Sequence, residues 1–447
     1  MIMSKILIKN AKIINEEKIF ESDLLIKNDR IFKISKNIKT DHDFKVIDAK
    51  GKILIPGLID DQVHFREPGL THKATIKSES KAAIAGGITS FIEMPNTIPQ
   101  TTTLSELNNK FKIAESNSYA NYSFMFGGTN ENLEEIKKID SKKVAGLKLF
   151  LGSSTGNMLV NDETVLKNIL LNTDLLISVH SEDENIINEN INKYKSKYGS
   201  NIPFELHPII RSEEACLKST KKIIKLAKET GARLHVFHLS TKSESLLFEN
   251  NIPLKEKKIT SEVCVHHLWF SDEDYKEKQS YIKWNPAIKT KEDRNALWKA
   301  LNDDRIDVIA TDHAPHTIEE KSNNYLECPS GGPLVQHALV SMMEHYLNNK
   351  ITLEKIVTKM CHNPADLFQI SKRGFIKEGY YADLVLIDLD KSWTVKKSNI
   401  LYKCNWSPFE GVKFNSKVCQ TFVNGKLVYN KGLFDEKLHG KQLTFDR

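Results

Sequence analysis

The sequence predicts an α/β protein: a closed (β/α)8 TIM barrel carrying a small β-sandwich domain built from both termini. Three observations carry this. Between Ile53 and about Ile370, apolar β-rich runs alternate with helical stretches at the spacing of βα units, as in a parallel sheet with crossover helices. Eight such runs occur, the number that closes a barrel. The two ends of the chain have another texture, of short alternating runs separated by turn residues, which suits half-exposed strands.

In chain order, the N-terminal strands are expected at Ile6–Ile8, Lys12–Ile14, Leu24–Ile26 and Arg30–Ile34. The barrel strands follow at Ile53–Ile59, Ile88–Met94, Tyr122–Phe126, Gly146–Phe150, Leu175–Val179, Arg233–Phe237, Lys258–Val263 and Asp307–Ala310. Near-continuous apolar runs fit strands covered on both faces. Ala382–Asp388, Lys417–Val423 and Lys426–Tyr429 read as the C-terminal strands, with Asn424-Gly425 as a type I′ hairpin turn. Neither end has enough apolar surface to stand alone, so the two are expected to pair. The resulting division is residues 1–54 and 371–447 for the halves of the sandwich and 55–370 for the barrel.

The charge excludes some functions. The 447 residues include 64 basic and 58 acidic ones spread along the chain, a formal net charge of +6 with no Arg-rich or aromatic-interleaved tract, so nucleic-acid binding is not indicated. No run of about 18 apolar residues occurs, and the start, Met1-Ile2-Met3-Ser4-Lys5, lacks the apolar core of a signal peptide. A soluble, cytoplasmic protein without membrane partners is expected, and a homo-oligomer is left open. The six cysteines (Cys216, Cys264, Cys328, Cys361, Cys404, Cys419) are scattered, with no CxxC pair, and read as reduced thiols.

Function is concentrated just beyond the strands. In Pro56–Gly69 an apolar run breaks into polar residues, with Asp60, Gln62 and His64 alternating so that their side chains leave one face. One histidine there would mean little. The set means more: His64 follows the first strand, Asn96 the second, Lys148 lies in the fourth, His180 and His238 end the fifth and sixth, and Asp312 ends the eighth. All would face the C-terminal mouth of a barrel, where such folds place their active sites. Imidazoles and carboxylates suit Zn²⁺, Mn²⁺ or Co²⁺, and a pair of such ions can make a nucleophilic hydroxide at neutral pH. Asp312 could take its proton and pass it to a leaving nitrogen. A lysine among such ligands is explained if burial lowers its pKa and the neutral amine takes up CO₂, giving an anionic carbamate that bridges two metals. Arg66, Asn96 and His316 offer a cation and two hydrogen-bonding groups to an anionic substrate.

At this point the chain resembles the dihydroorotases of the amidohydrolase superfamily over essentially its whole length. The resemblance rests on PGLIDDQVHFREPG (Pro56–Gly69), EMPNT (Glu93–Thr97), LKLF (Leu147–Phe150), VHSE (Val179–Glu182), FHLS (Phe237–Ser240), EVCVHHL (Glu262–Leu268), WNPAI (Trp284–Ile288) and TDHAPH (Thr311–His316). It implies reversible, zinc-dependent interconversion of L-dihydroorotate and N-carbamoyl-L-aspartate in pyrimidine biosynthesis. It also implies a carbamylated Lys148, two zinc ions held by His64, Lys148, His180, His238 and Asp312, and a substrate carboxylate held by Arg66, Asn96 and His316. Asn285, Ser330 and Gly331 match positions that touch the substrate ring. His72, Glu262, His266 and His267 read as supporting or structural. The chain departs from the pattern at Gln62, which stands where the first histidine ligand belongs; an amide is a poorer ligand than imidazole, so the metal nearest His64 should be held less tightly. Allantoinases and dihydropyrimidinases are the alternative within the enzyme class, and an inactive scaffold subunit the alternative outside it.

Overall fold

The computed structural model describes residues 5–152, 158–160 and 162–447; the start of the chain, Met1–Ser4, on which the signal-peptide reading rests, lies outside them. Eight parallel strands form the barrel: β1 (Leu58–Val63), β2 (Ile88–Glu93), β3 (Asn121–Gly127), β4 (Gly146–Phe150), β5 (Ile177–His180), β6 (Leu234–Val236), β7 (Ile259–Cys264) and β8 (Val308–Ala310). They lie side by side in sequence order. β1 and β8 meet through a parallel bridge between Val63 and His313 and a hydrogen bond from the His64 backbone N–H to His313 O (2.7 Å), which closes the ring.

The crossover helices follow from ordinary signals. In Glu213–Thr230, Ser212 caps the first turn by accepting from the Ala215 N–H, and Gly231, at φ 74°, ends the last. Between them Ala215, Cys216, Ser219, Thr220, Ile223, Ile224, Leu226 and Ala227 form the buried stripe that helical periodicity requires.

One strand differs from expectation. The run Ile53–Ile59 is not one barrel strand but divides at Gly57: Ile53–Pro56 pairs parallel with Lys5–Asn15 and antiparallel with Leu384–Asp388, while β1 begins at Leu58. A Cβ on Gly57 would come within 2.1 Å of Thr89 Oγ1, so the chain can pass β2 there only as glycine. Ile53–Pro56 thereby joins the N-terminal strands to Leu384–Asp388, Lys417–Val423 and Lys426–Asn430 in one nine-stranded sheet. The Asn424-Gly425 turn has φ of 49° and 74°, as a type I′ hairpin needs. Ile8, Leu24, Ile31, Leu54, Leu386 and Phe422 belong to a single core cluster, so both ends of the chain contribute to the burial that stabilises the sheet.

The last residues leave the sheet and run under the barrel. Tyr122 exchanges backbone hydrogen bonds with Lys441 and Leu443, and Leu443 and Phe445 join Ile59, Ile92, Met125 and Val308 in a core at the base. All six cysteines are buried and unpaired by disulfides. Among the described residues no helix is long and apolar enough to cross a membrane.

Sheet and barrel are locked by Asp383. Its carbonyl accepts from the Gly57 N–H (2.8 Å), and its buried carboxylate accepts from Arg373 Nη1, Asn121 Nδ2 (3.1 Å) and the Asn424 N–H (2.7 Å). Asp383→Ala leaves a buried guanidinium unpaired and should cost about 3–5 kcal/mol, seen as a lower urea midpoint.

Candidate metal and substrate site

The strand ends bring the predicted residues to one cavity. It is lined by Gln62, His64, Arg66, Lys148, His180, His238, Asn285, Asp312, Ser330 and Gly331, with Phe150, Trp284, Ala314 and Pro329. Arg66, His238 and Asp312 hold positive φ angles of 68°, 42° and 48°. Backbone strain of this kind persists where the surrounding structure fixes a side chain's direction.

His64 is oriented from behind. Its Nδ1 lies 2.8 Å from Asn96 Oδ1, an acceptor, so Nδ1 carries the proton and Nε2 is left toward Asp312 Oδ1 at 3.1 Å. His180 Nδ1 lies 3.1 Å from His238 Nε2, and His180 Nε2 lies 2.9 Å from Glu182 Oε2. Burial holds all three imidazoles below their usual range, His238 furthest, with His180 and Lys148 adding to the effect there. They are neutral at pH 7, the form in which imidazole binds a metal. Burial opposes ionisation of Glu182, but Arg211 and His180 outweigh it and hold the carboxyl down to about 2.

Lys148 is fully buried, and its Nζ has no hydrogen-bond partner among the described residues. It lies 4.1 Å from the centre of the Phe237 ring and 4.9 Å from that of Phe150. Burial pushes its amine down to about 7, against the pull of Asp312 and Glu262. A buried, unpartnered amine of this acidity among three histidines and an aspartate fits a metal-binding mouth once it has become an anion, and fits poorly as a plain ammonium.

Arg66 is the cation of the mouth. Its Nε donates to Pro315 O (3.1 Å) and its Nη2 lies 3.0 Å from His316 Nε2. Burial lowers the guanidinium only to about 10, so it stays charged. A carbonyl and an imidazole hold it, and no carboxylate among the described residues is paired with it, which leaves its charge for a ligand. Asn285 Oδ1 is also buried without a partner among the described residues.

Two predicted residues stand one layer back. Asn96 reaches the cavity through His64, and His316 through Arg66, rather than lining it. The segment Cys328–Pro333 is tied down: Lys321 Nζ donates to Pro329 O (2.9 Å) and Gly331 O (3.1 Å), and a Cβ on Gly331 would meet Ala314 O at 2.5 Å. His72 is exposed, 3.5 Å from Glu320, and takes no part. His266 stacks on Trp284 and, with His267 and Cys264, forms a buried group beside the mouth. Sequence reasoning missed Glu182 as the partner of His180; its place two residues on, in VHSE, was the available signal.

Comparison with known proteins places the chain in a family. The chain matches the amidohydrolase family over residues 53–428. It is 36% identical to the dihydroorotase of Carboxydothermus hydrogenoformans over 434 residues, covering 95% of this chain and 98% of the relative. To the dihydroorotase of Pyrococcus horikoshii it is 34% identical over 403 residues, covering 89% and 85%. Among solved structures, the L-hydantoinase (dihydropyrimidinase) of Arthrobacter aurescens superposes with a TM-score of 0.93 at 27% identity, covering 99% of this chain and all of that one.

Because Glu182 orients His180, Glu182→Gln should weaken binding of divalent metal by about 10- to 100-fold, measured by competition with a chromogenic chelator.

Proposed function

The chain belongs to the amidohydrolase family, in its dihydroorotase branch, and from that premise we propose how its mouth hydrolyses L-dihydroorotate to N-carbamoyl-L-aspartate and reverses the reaction. The observation that carries the substrate assignment is Arg66, a buried guanidinium in the cavity wall without a carboxylate partner. Dihydroorotate brings that carboxylate. Hydantoins and dihydrouracils share the cyclic amide but lack it, so the likeness to the hydantoinase structure is one of fold and cyclic-amide chemistry, while Arg66 selects the acid.

His64, His180, His238, Asp312 and a carbamylated Lys148 are the residues that would hold two divalent ions, zinc by preference, with Gln62 offering an amide oxygen beside His64. When bound, such ions supply Lewis acidity and water that ionises near neutral pH. The protein's own groups do the rest. Arg66 binds the substrate carboxylate as a two-pronged donor, and Asn285 and the backbone of Ser330 and Gly331 meet the ring. Phe150 and Trp284 limit the water around it. The Asp312 carboxylate takes the proton of the attacking water and gives it to the ring nitrogen as the amide C–N bond breaks, so that nitrogen leaves as the neutral ureido NH₂. In the synthetic direction the same carboxylate removes that proton. Six unpaired cysteines suit a reducing compartment, and we place the enzyme in the cytoplasm.

Arg66→Lys keeps the charge but loses the fork. It should lower kcat/KM for dihydroorotate by about 30- to 1,000-fold, from roughly 2–4 kcal/mol of paired interaction, while changing turnover of dihydrouracil little. Equal losses on both substrates would remove the assignment. Lys148→Ala should lose activity and recover part of it in millimolar acetate or propionate, whose carboxylate can replace the carbamate; a fully active variant with unchanged metal content would argue against a ligand role.

A further inference from the structure

Below the mouth, inside the barrel, three side chains from three strands face one another: Asp61 of β1, His235 of β6 and Glu262 of β7. All are fully buried. His235 Nε2 lies 3.5 Å from Asp61 Oδ2 and 3.7 Å from Glu262 Oε2, and one donor atom from each residue falls within 4.8 Å of the others. Both oxygens of Asp61, Nε2 of His235 and Oε2 of Glu262 have no hydrogen-bond partner among the described residues. Four buried polar atoms without a hydrogen bond, in contact only through the two long His235–carboxylate pairs, leave room for an occupant.

Two details say what kind. His235 Nδ1 lies 2.8 Å from Thr260 Oγ1, whose own proton goes to Leu234 O at 3.2 Å, so Nδ1 is the donor and Nε2 points at the carboxylates. The separations of 3.5 and 3.7 Å are too long for hydrogen bonds from a protonated ring. They match the spacing of neighbouring ligand atoms on a tetrahedral ion, which stand about 3.4 Å apart when each is about 2.1 Å from the metal.

We propose that Asp61, His235 and Glu262 bind a divalent transition metal, in the class of Zn²⁺, Mn²⁺ or Co²⁺, at a buried site separate from the mouth. One imidazole and two carboxylates suit those ions and balance their charge. The Cys264 thiol, 3.5 Å from Glu262 Oε1 and 3.9 Å from Gln62 Oε1, stands between this cluster and the mouth. The ion ties β1, β6 and β7 together three residues before His64 and His238. It also neutralises the two carboxylates whose field reaches Lys148 and favours its ammonium form. The proposal does not depend on which cyclic amide is hydrolysed.

The direct test is a zinc-edge anomalous difference map from crystals of the wild-type protein grown with zinc. A peak enclosed by Asp61, His235 and Glu262, apart from any at His180 and His238, is the expected result; no peak there overturns the site. In solution, Asp61→Asn should hold one equivalent of zinc fewer than wild type after identical dialysis. The double variant His180→Asn/His238→Asn, which removes two of the mouth's ligands, should keep zinc of which a further Asp61→Asn change removes one equivalent. Equal zinc content in wild type and folded Asp61→Asn would overturn the proposal, and if Asp61→Asn does not fold, the wild-type map decides alone. Neither readout measures turnover, so this site and the assigned reaction stand or fall separately.

Discussion

The structure depends on the seam where the first barrel strand meets the last. His64 donates its backbone N–H to His313 O, and that contact sets the His64 side chain 3.1 Å from Asp312, a residue 248 positions away in sequence. Asp60 strengthens the seam, its carboxyl oxygens accepting from the Thr311 hydroxyl at 2.6 Å and from the Thr311 N–H at 3.2 Å. Burial pushes the Asp60 carboxyl up to about 8, against those hydrogen bonds, so the seam is secured by a group held at a cost in solvation. Without closure the site residues at the ends of β1 and β8 would not share a cavity with those of β4, β5 and β6.

Closure also sorts charge by depth. The mouth holds neutral imidazoles, the buried guanidinium of Arg66 and the amine of Lys148, which together favour an anionic ligand. Beneath it lie Asp61 and Glu262, and Glu93 stands aside, paired at 2.5 Å with the fully buried Lys110. Lys148 sits between the two layers, drawn toward the neutral form by burial and toward the charged form by Asp312 in the mouth and, less strongly, by the acids below. Whatever neutralises those acids changes the balance between the neutral and charged forms of Lys148.

Much of this was legible in the sequence because parallel strands announce themselves as apolar runs and their functional ends as abrupt polar breaks. Polar breaks place His64, His180, His238 and Asp312 at the mouth, and the cavity they line together with Lys148, which lies inside its strand, agrees with that placement. The strand at Ile53–Ile59 was misjudged because both of its halves are apolar. Only the contact of Gly57 with Thr89 reveals that the chain changes sheet there, and tertiary contacts of that kind leave no periodic trace. Asp61 was passed over for another reason. Strict alternation assigns it to the face opposite Gln62, but the register of β1 against β2 shifts between Asp60 and Val63, and the irregularity re-aims the side chains. Asn96 and His316 were placed at the right mouth but one layer too far forward, since spacing fixes where a residue sits along a strand end and not what stands in front of it.

The most direct test of the assigned reaction compares substrates on the unaltered enzyme. Purified protein supplied with zinc would be assayed in parallel with L-dihydroorotate, dihydrouracil and hydantoin. The buried, unneutralised Arg66 predicts that kcat/KM for dihydroorotate exceeds the other two by about 100-fold or more. Ready hydrolysis of dihydrouracil or hydantoin with dihydroorotate left intact would contradict it.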